Sequence, residues 1–413
     1  MKTGHFLRGG TGPAALGSLV SLGAQATMAL FLLGLFEPQA VGVFSVVAQI
    51  AFGWATLALA QSPVSLLANQ HLPPLPAARQ AWHSSLRRWL WLTPAAALAM
   101  WWSGRSAAAG LPASWDWAVP LAWVCAIALT QMGWLLAQSL TLRQHAPVSI
   151  AAVRMLPPMI AALLAAVLAI ALDWRSSSAL TSAALAGYAV GALWLLPALR
   201  NHEVLTRRED SSSSTGDPRS ERLKFIHTLS DVLVATVLAT HWTAVYGAAQ
   251  AGCLLILLRV MGFIPALVST AWAQVVLGRP QSRLPSSAWA AGAGAAAVMA
   301  VGLAAHLALQ TGWLSERWLG LQDYLWPVAL WQMAASIMAA VSHRPFQRGL
   351  AVRYTWQCLT MNAGQALLLV LPPLLGWSLT EHLWVLAGFL SMALLLQAGW
   401  AARLVHPTSE EHL

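Results

Sequence analysis

The apolar residues of this chain fall into twelve long runs separated by short polar gaps. The runs cover roughly 14–36, 40–61, 87–104, 117–140, 151–172, 178–199, 225–244, 248–277, 287–312, 322–342, 351–376 and 380–404. A helix that crosses a bilayer needs ~20 apolar residues, and each run is close to that length. Inside lipid every backbone group must be satisfied within the segment itself, and the runs lack the alternation of a closed barrel. The pattern predicts an all-α integral membrane protein of about 12 transmembrane helices.

Lys and Arg then orient it. Alternate gaps, beginning with the N-terminus, hold Lys2 and Arg8, then Arg79, Arg87 and Arg88, then Arg143 and Arg154. They continue with the group from Arg200 to Lys224, then Arg279 and Arg283, then Arg344, Arg348 and Arg353, and last Arg403. Together these are 19 of the 23 basic residues. The intervening gaps hold Arg105, Arg175 and Arg317, and Arg259 lies inside a run. Basic loops stay cytoplasmic, so both termini are expected in the cytoplasm. The first run, from Ala14 to Phe36, is too long for a signal-peptide core. It reads as an uncleaved helix, although Ala24-Gln25-Ala26 has the form of a cleavage box.

The longest basic gap contains Ser211-Ser212-Ser213-Ser214-Thr215-Gly216, a composition that cannot bury a core. It divides the chain into an N-terminal six-helix lobe (1–200), a flexible cytoplasmic linker (201–224), a C-terminal six-helix lobe (225–404) and a cytoplasmic tail (405–413). Both lobes start on the same side, so they are expected to be parallel pseudo-repeats. Val41-Gly42-Val43 and Tyr246-Gly247-Ala248 open comparable helices after tight outer turns. Arg143 and Arg344 mark comparable inner junctions, each followed by another Arg at a helix start, Arg154 and Arg353.

Composition agrees. Charged residues make up 9% of the chain and hydrophobic residues 58%, whereas soluble domains carry about 25% charged residues. The net charge of +9 does not imply nucleic acid, because the basic residues sit at helix ends, where anionic lipids attract them by about 1 kcal/mol each. Cys125, Cys253 and Cys358 lie in apolar runs with no pairing or metal spacing. Many of the 23 Trp lie at predicted boundaries, where indoles anchor at the headgroups. For Trp54 and Trp242, stacking on a sugar ring in a cavity is a second reading.

Arg259 is the sharpest candidate, since an Arg in mid-membrane costs roughly 2.5–3.5 kcal/mol on insertion scales. It points either to a cationic ligand for an anionic substrate group or to a structural ion pair, with Asp231 the first partner to consider. The run at 225–244 is the most polar, with His227, Thr228, Ser230, Asp231, Thr236, Thr240, His241 and Thr243. His227 and Asp231 are four apart and share a helix face. In the first run Ser18, Ser21 and Gln25 also share a face. These stripes imply either a water-filled cleft or interhelical hydrogen bonds. Gln131, Asn362 and Gln365 read as helix–helix contacts. The sequence contains no phosphate loop, metal-ligand cluster or hydrolase triad, so no catalytic residue, metal or cofactor is expected.

Gly17-Ser18-Leu19-Val20-Ser21 through Gln25, followed by Leu35-Phe36-Glu37-Pro38-Gln39-Ala40-Val41-Gly42-Val43-Phe44-Ser45, resembles the first two helices of Wzx-type polysaccharide flippases. These belong to the multidrug/oligosaccharidyl-lipid/polysaccharide exporter superfamily. The resemblance implies alternating access about a cleft lined by helices one, two, seven and eight, which turns a polyprenyl-diphosphate-linked oligosaccharide across the membrane. It implies Arg259, Gln25, Asp231, His241, Ser21, Gln49 and Arg8 as substrate-binding residues. The implied partners are the lipid-linked glycan, membrane lipids and other polysaccharide-assembly membrane proteins. A multidrug or ion antiporter of the same superfamily is one alternative, with Asp231 as its coupling acid. A membrane glycosyltransferase or polysaccharide polymerase using Glu37 or Asp116 is another, but the outer loops are too short to hold its substrate.

Overall fold

The computed structural model describes residues 11–60, 62–68, 72–104, 118–144, 147–200, 218–269 and 287–404. A helix lies in each predicted run: α1 (Thr11–Leu35), α2 (Pro38–Leu59), α4 (Pro74–Gly104), α5 (Ala118–Arg143), α6 (Pro147–Ala171), α7 (Ser177–Ala192), α9 (Pro218–Tyr246), α10 (Ala248–Leu267), α11 (Ser287–Gln310), α12 (Leu321–Ala339), α14 (Ala351–Leu374) and α15 (Leu379–Ala402); the last part of the run at 248–277 lies outside the described residues. Two shorter helices join them, α3 (Ser62–Ala68) and α13 (Arg344–Gln347). A 3₁₀ turn at Leu193–Leu195 leads α7 into α8 (Leu196–Arg200). Among the described residues, nine helical segments are long and apolar enough to cross a membrane. Helix α4 is not one of them, because Arg79, Arg87 and Arg88 prolong it as a polar extension before the apolar run begins. Helix α14 is not one either, because Arg353, Gln357, Asn362 and Gln365 dilute it. Helix α9 likewise starts inside the expected linker, whose residues 201–217 lie outside the described ones.

The chain forms two compact units, Met1–Glu221 with Ala235–Gly252, and Arg222–Val234 with Cys253–Leu413. Helices α9 and α10 contribute to both. In the first unit α1 packs on α6, α7 on α5 and α6, and α2 on α4 and α5. The core is filled by Met100, Ile127, Met132, Leu136 and Leu140. Trp54 and Trp89 stack at 4.8 Å with planes 5° apart, and Trp54 Nε1 donates to the Trp89 carbonyl at 2.8 Å. Trp242 is fully buried against Tyr246, at 4.8 Å between centroids. Both indoles considered for sugar stacking are therefore core residues.

Arg88 closes the end of α2. Its Nε donates to the Ala58 carbonyl at 2.6 Å, and its Nη2 reaches the Leu59 carbonyl at 3.1 Å and Ser62 Oγ at 2.7 Å. A cation at a helix C-terminus stabilises it by about 0.3–1 kcal/mol, and up to ~2 kcal/mol when partly buried. The chain then turns at Ala60, held at φ 47°, ψ −117°, a conformation that favours glycine. Arg143 makes a similar clamp, donating to the carbonyls of Leu66 and Leu72.

At their N-terminal ends α2 and α10 cross in backbone contact. A Cβ added at Gly42 would lie 1.8 Å from the Ala248 carbonyl oxygen, and one at Gly252 would lie 2.0 Å from the Pro38 oxygen. Only glycine permits this approach, which is how small residues pack membrane helices. Pro38 and Ala248 open their helices, and each glycine follows four residues later, so the crossing is internally symmetric.

In the second unit α12 packs on α11 and α15, and α14 on α15. Arg344 Nη1 donates to the Ala402 carbonyl at 2.7 Å, and Arg353 lies over the Trp400 ring, 5.4 Å from its centroid. These basic residues thus fasten one end of α15. At its other end α14 and α15 form a close hairpin. Gly376, at φ +76°, ends α14, with the Gly376 N–H on the Pro373 carbonyl and the Trp377 N–H on the Pro372 carbonyl. This is a Schellman closure. Ser378 and Glu381 then form a capping box that starts α15.

Candidate functional site

Among the described residues, a polar cluster within an apolar span lies in the second unit. His227 and Asp231, one turn apart on α9, meet at 3.0 Å between Nδ1 and Oδ2. Asp231 Oδ1 accepts from Asn362 Nδ2 at 2.6 Å, and the same amide reaches Ser230 Oγ at 3.1 Å. Both carboxylate oxygens of Asp231 are therefore engaged, by His227 and Asn362 and not by Arg259. On α14, Tyr354, Cys358 and Asn362 recur every fourth residue and share one face. The Tyr354 ring lies 6.4 Å from that of His227, with planes 23° apart, and Gln397 Nε2 donates to Cys358 Sγ at 3.6 Å. Asn362 and Cys358 are buried. The Asp231 side chain remains 51% exposed and that of His227 28%. Polar tethers fix the pair on one side and leave it accessible on the other.

The other candidates divide between the units. Gln25, on α1, is exposed, and Gln49, on α2, is half-buried, with Nε2 enclosed without a hydrogen-bond partner. His241 is half-buried in the part of α9 that belongs to the first unit. Arg259 is exposed near the middle of α10, in the second unit. Gln49 and Arg259 each stand seven residues after the glycine through which its helix crosses the other, so each shares its glycine's face of its own helix. Arg8 and the side chain of Ser21 lie outside the described residues. The expected helix–helix contact of Asn362 is the one seen, to α9, whereas Tyr354 and Gln397 are not singled out in the sequence and Cys358 reads there only as an apolar residue. The recurrence of Tyr354, Cys358 and Asn362 at four-residue spacing in an apolar run was the available signal.

No family model and no curated protein matches the chain. Solved structures do. A crystal structure of MATE in complex with MaL6 aligns over 98% of this chain and 98% of its own, with 13% identity and a TM-score of 0.52. The eukaryotic MATE transporter AtDTX14 aligns over 95% and 94%, with 14% identity and a TM-score of 0.47. An inward-facing multidrug resistance MATE family transporter of the MOP superfamily aligns over 95% and 94%, with 11% identity and a TM-score of 0.46. At such identities the likeness concerns the fold: this chain is an all-α membrane protein with the helical architecture of MATE transporters.

Proposed function

We propose that this chain is a transporter that carries a polyprenyl-diphosphate-linked oligosaccharide across the bacterial inner membrane by alternating access. The observation that carries the reading is Arg259, a guanidinium exposed in the middle of an apolar helix. Its placement opposes insertion, and its fork of donors suits a diphosphate. The short expected outer loops argue against a polymerase or glycosyltransferase. The test is complementation of a flippase-null strain, with protein level checked by immunoblot. Arg259→Ala is expected to lose glycan export at normal protein level, and Arg259→Lys to lose part of it. Failure of the unaltered chain to restore export refutes the reading, and full export by the Ala variant shows that Arg259 is dispensable to it.

The His227–Asp231–Asn362 cluster favours a second reading, an ion-coupled antiporter of small molecules, because such a transporter needs a titratable group in the membrane. The two readings separate in proteoliposomes. An antiporter moves a soluble cation such as ethidium against a pH gradient, whereas a flippase leaves it unmoved and translocates lipid-linked glycan.

A further inference from the structure

The end of the α14–α15 hairpin carries a concave surface that none of these readings uses. Trp377, Thr380, Glu381, Trp384 and Val385 line a cavity of about 460 Å³, within the usual range of about 300–1,000 Å³ for small-ligand sites. Trp377 is 39% exposed and Trp384 45%. Thr380, Glu381, Trp384 and Val385 share one face of α15, and Trp377, in the turn just before the N-cap Ser378, completes the lining. The hairpin holds them rigidly. The Schellman closure fixes Trp377, the capping box fixes the first turn of α15, and His382 Nε2 is bonded at 2.7 Å to the Leu368 carbonyl on α14. A surface fixed before binding loses little conformational freedom on binding.

Its chemistry selects among ligands. Glu381 Oε2 accepts from the Ser378 N–H at 2.9 Å and from Ser378 Oγ at 2.8 Å, and it sits at the positive end of the α15 dipole. The capping amides are thus already served by a carboxylate, which repels phosphate and other anions. That same carboxylate is too well balanced to hold an organic cation strongly. What remains is two apolar faces beside neutral and charged acceptors. A pyranose ring matches this, with a C–H face for indole and hydroxyls to donate to Glu381 and Thr380. We propose that Trp377, Thr380, Glu381 and Trp384 form a saccharide-binding site at this end of the second unit. It lies at the opposite end of α15 from Arg403, the outer end under the expected orientation. The site rests on the flippase reading only for which saccharide meets it, the glycan arriving at the outer leaflet.

The test is saturation-transfer NMR on the full-length protein in a detergent without a sugar headgroup, with maltotriose, cellotriose and triacetylchitotriose as probes. Transfer to ring C–H protons is expected from at least one probe. It should fall at least tenfold in Trp377→Ala and in Trp384→Ala, and persist in Trp313→Ala, whose indole is exposed elsewhere. No transfer from any probe overturns the proposal. So does transfer that survives the Trp377→Ala/Trp384→Ala double variant, and so does displacement of every probe by ethanolamine or choline, which would mark a lipid-headgroup site. Saccharide transfer that depends on both indoles supports the site whatever Arg259→Ala does to export, so failure of the flippase reading is recorded separately.

Discussion

The glycine crossing of α2 and α10 can be tested with a single methyl group. In Gly42→Ala the new Cβ would sit 1.8 Å from the Ala248 carbonyl oxygen and 2.7 Å from its carbon. A C···O contact settles at roughly 3.3–3.6 Å, so one backbone must retreat by about 1.5 Å. Both obstructing atoms are backbone, and no rotamer relieves them. Such a shift forfeits most of the local dispersion. The usual cost of overpacking puts the expected loss at about 1–3 kcal/mol. Cys253 adjoins Gly252 and is buried, so a thiol-reactive dye reports opening during thermal unfolding in detergent. Gly42→Ala and Gly252→Ala should each lower the midpoint. The double variant should lose clearly less than the sum, because one separation relieves both clashes. An unchanged midpoint in either single variant, or strict additivity in the double, refutes the account of two backbones in contact.

Three more outcomes follow from the same structure. Ala60→Gly relieves a positive-φ position and should raise the unfolding midpoint, by about 1 kcal/mol of stability, as read by the same dye; a lowered midpoint counts against the turn geometry. Asn362→Leu removes a donor from Asp231 and should destabilise by about 1–3 kcal/mol. Much of that loss should be recovered in Asn362→Leu/Asp231→Leu, since replacing both partners by apolar groups is far cheaper than stranding one; no recovery would mean that the two do not pair. Reporter fusions should read cytoplasmic at Ser213 and at the C-terminus and periplasmic at Ser177, and a periplasmic signal at Ser213 overturns the orientation drawn from the basic residues.

The helices were legible because a bilayer demands a nearly fixed apolar length, so each run had to be a helix of known extent. Their ends were less so. Helix α4 begins at Pro74 because Arg79, Arg87 and Arg88 are good helix formers even where hydropathy fades. The candidate site was half legible. The one-turn spacing of His227 and Asp231 is a local fact and visible in the sequence. Asn362 lies 131 residues from Asp231, and only folding brings the two together, which is why Arg259 seemed an equally good partner. Arg88 was read as a topogenic charge, and its hold on the end of α2 depends on a turn that no local pattern announces. The indoles of Trp54 and Trp242 show the same limit: their chemistry was plain, and their neighbours were not.

The turn between α14 and α15 bears on where this part of the protein can sit. Every backbone N–H from Leu375 to Ser378 is bonded, to Leu371, Pro373, Pro372 and the Glu381 carboxylate in turn. Water is not needed to satisfy those donors, and exposed donors are what keep ordinary turns out of hydrocarbon. A hairpin tip closed in this way keeps its donors satisfied at the edge of the headgroups, and the Glu381 carboxylate, costly to draw into the acyl chains, holds it there. The tip can keep its shape at the interface without help from water, and it holds Trp377 and Trp384 there together.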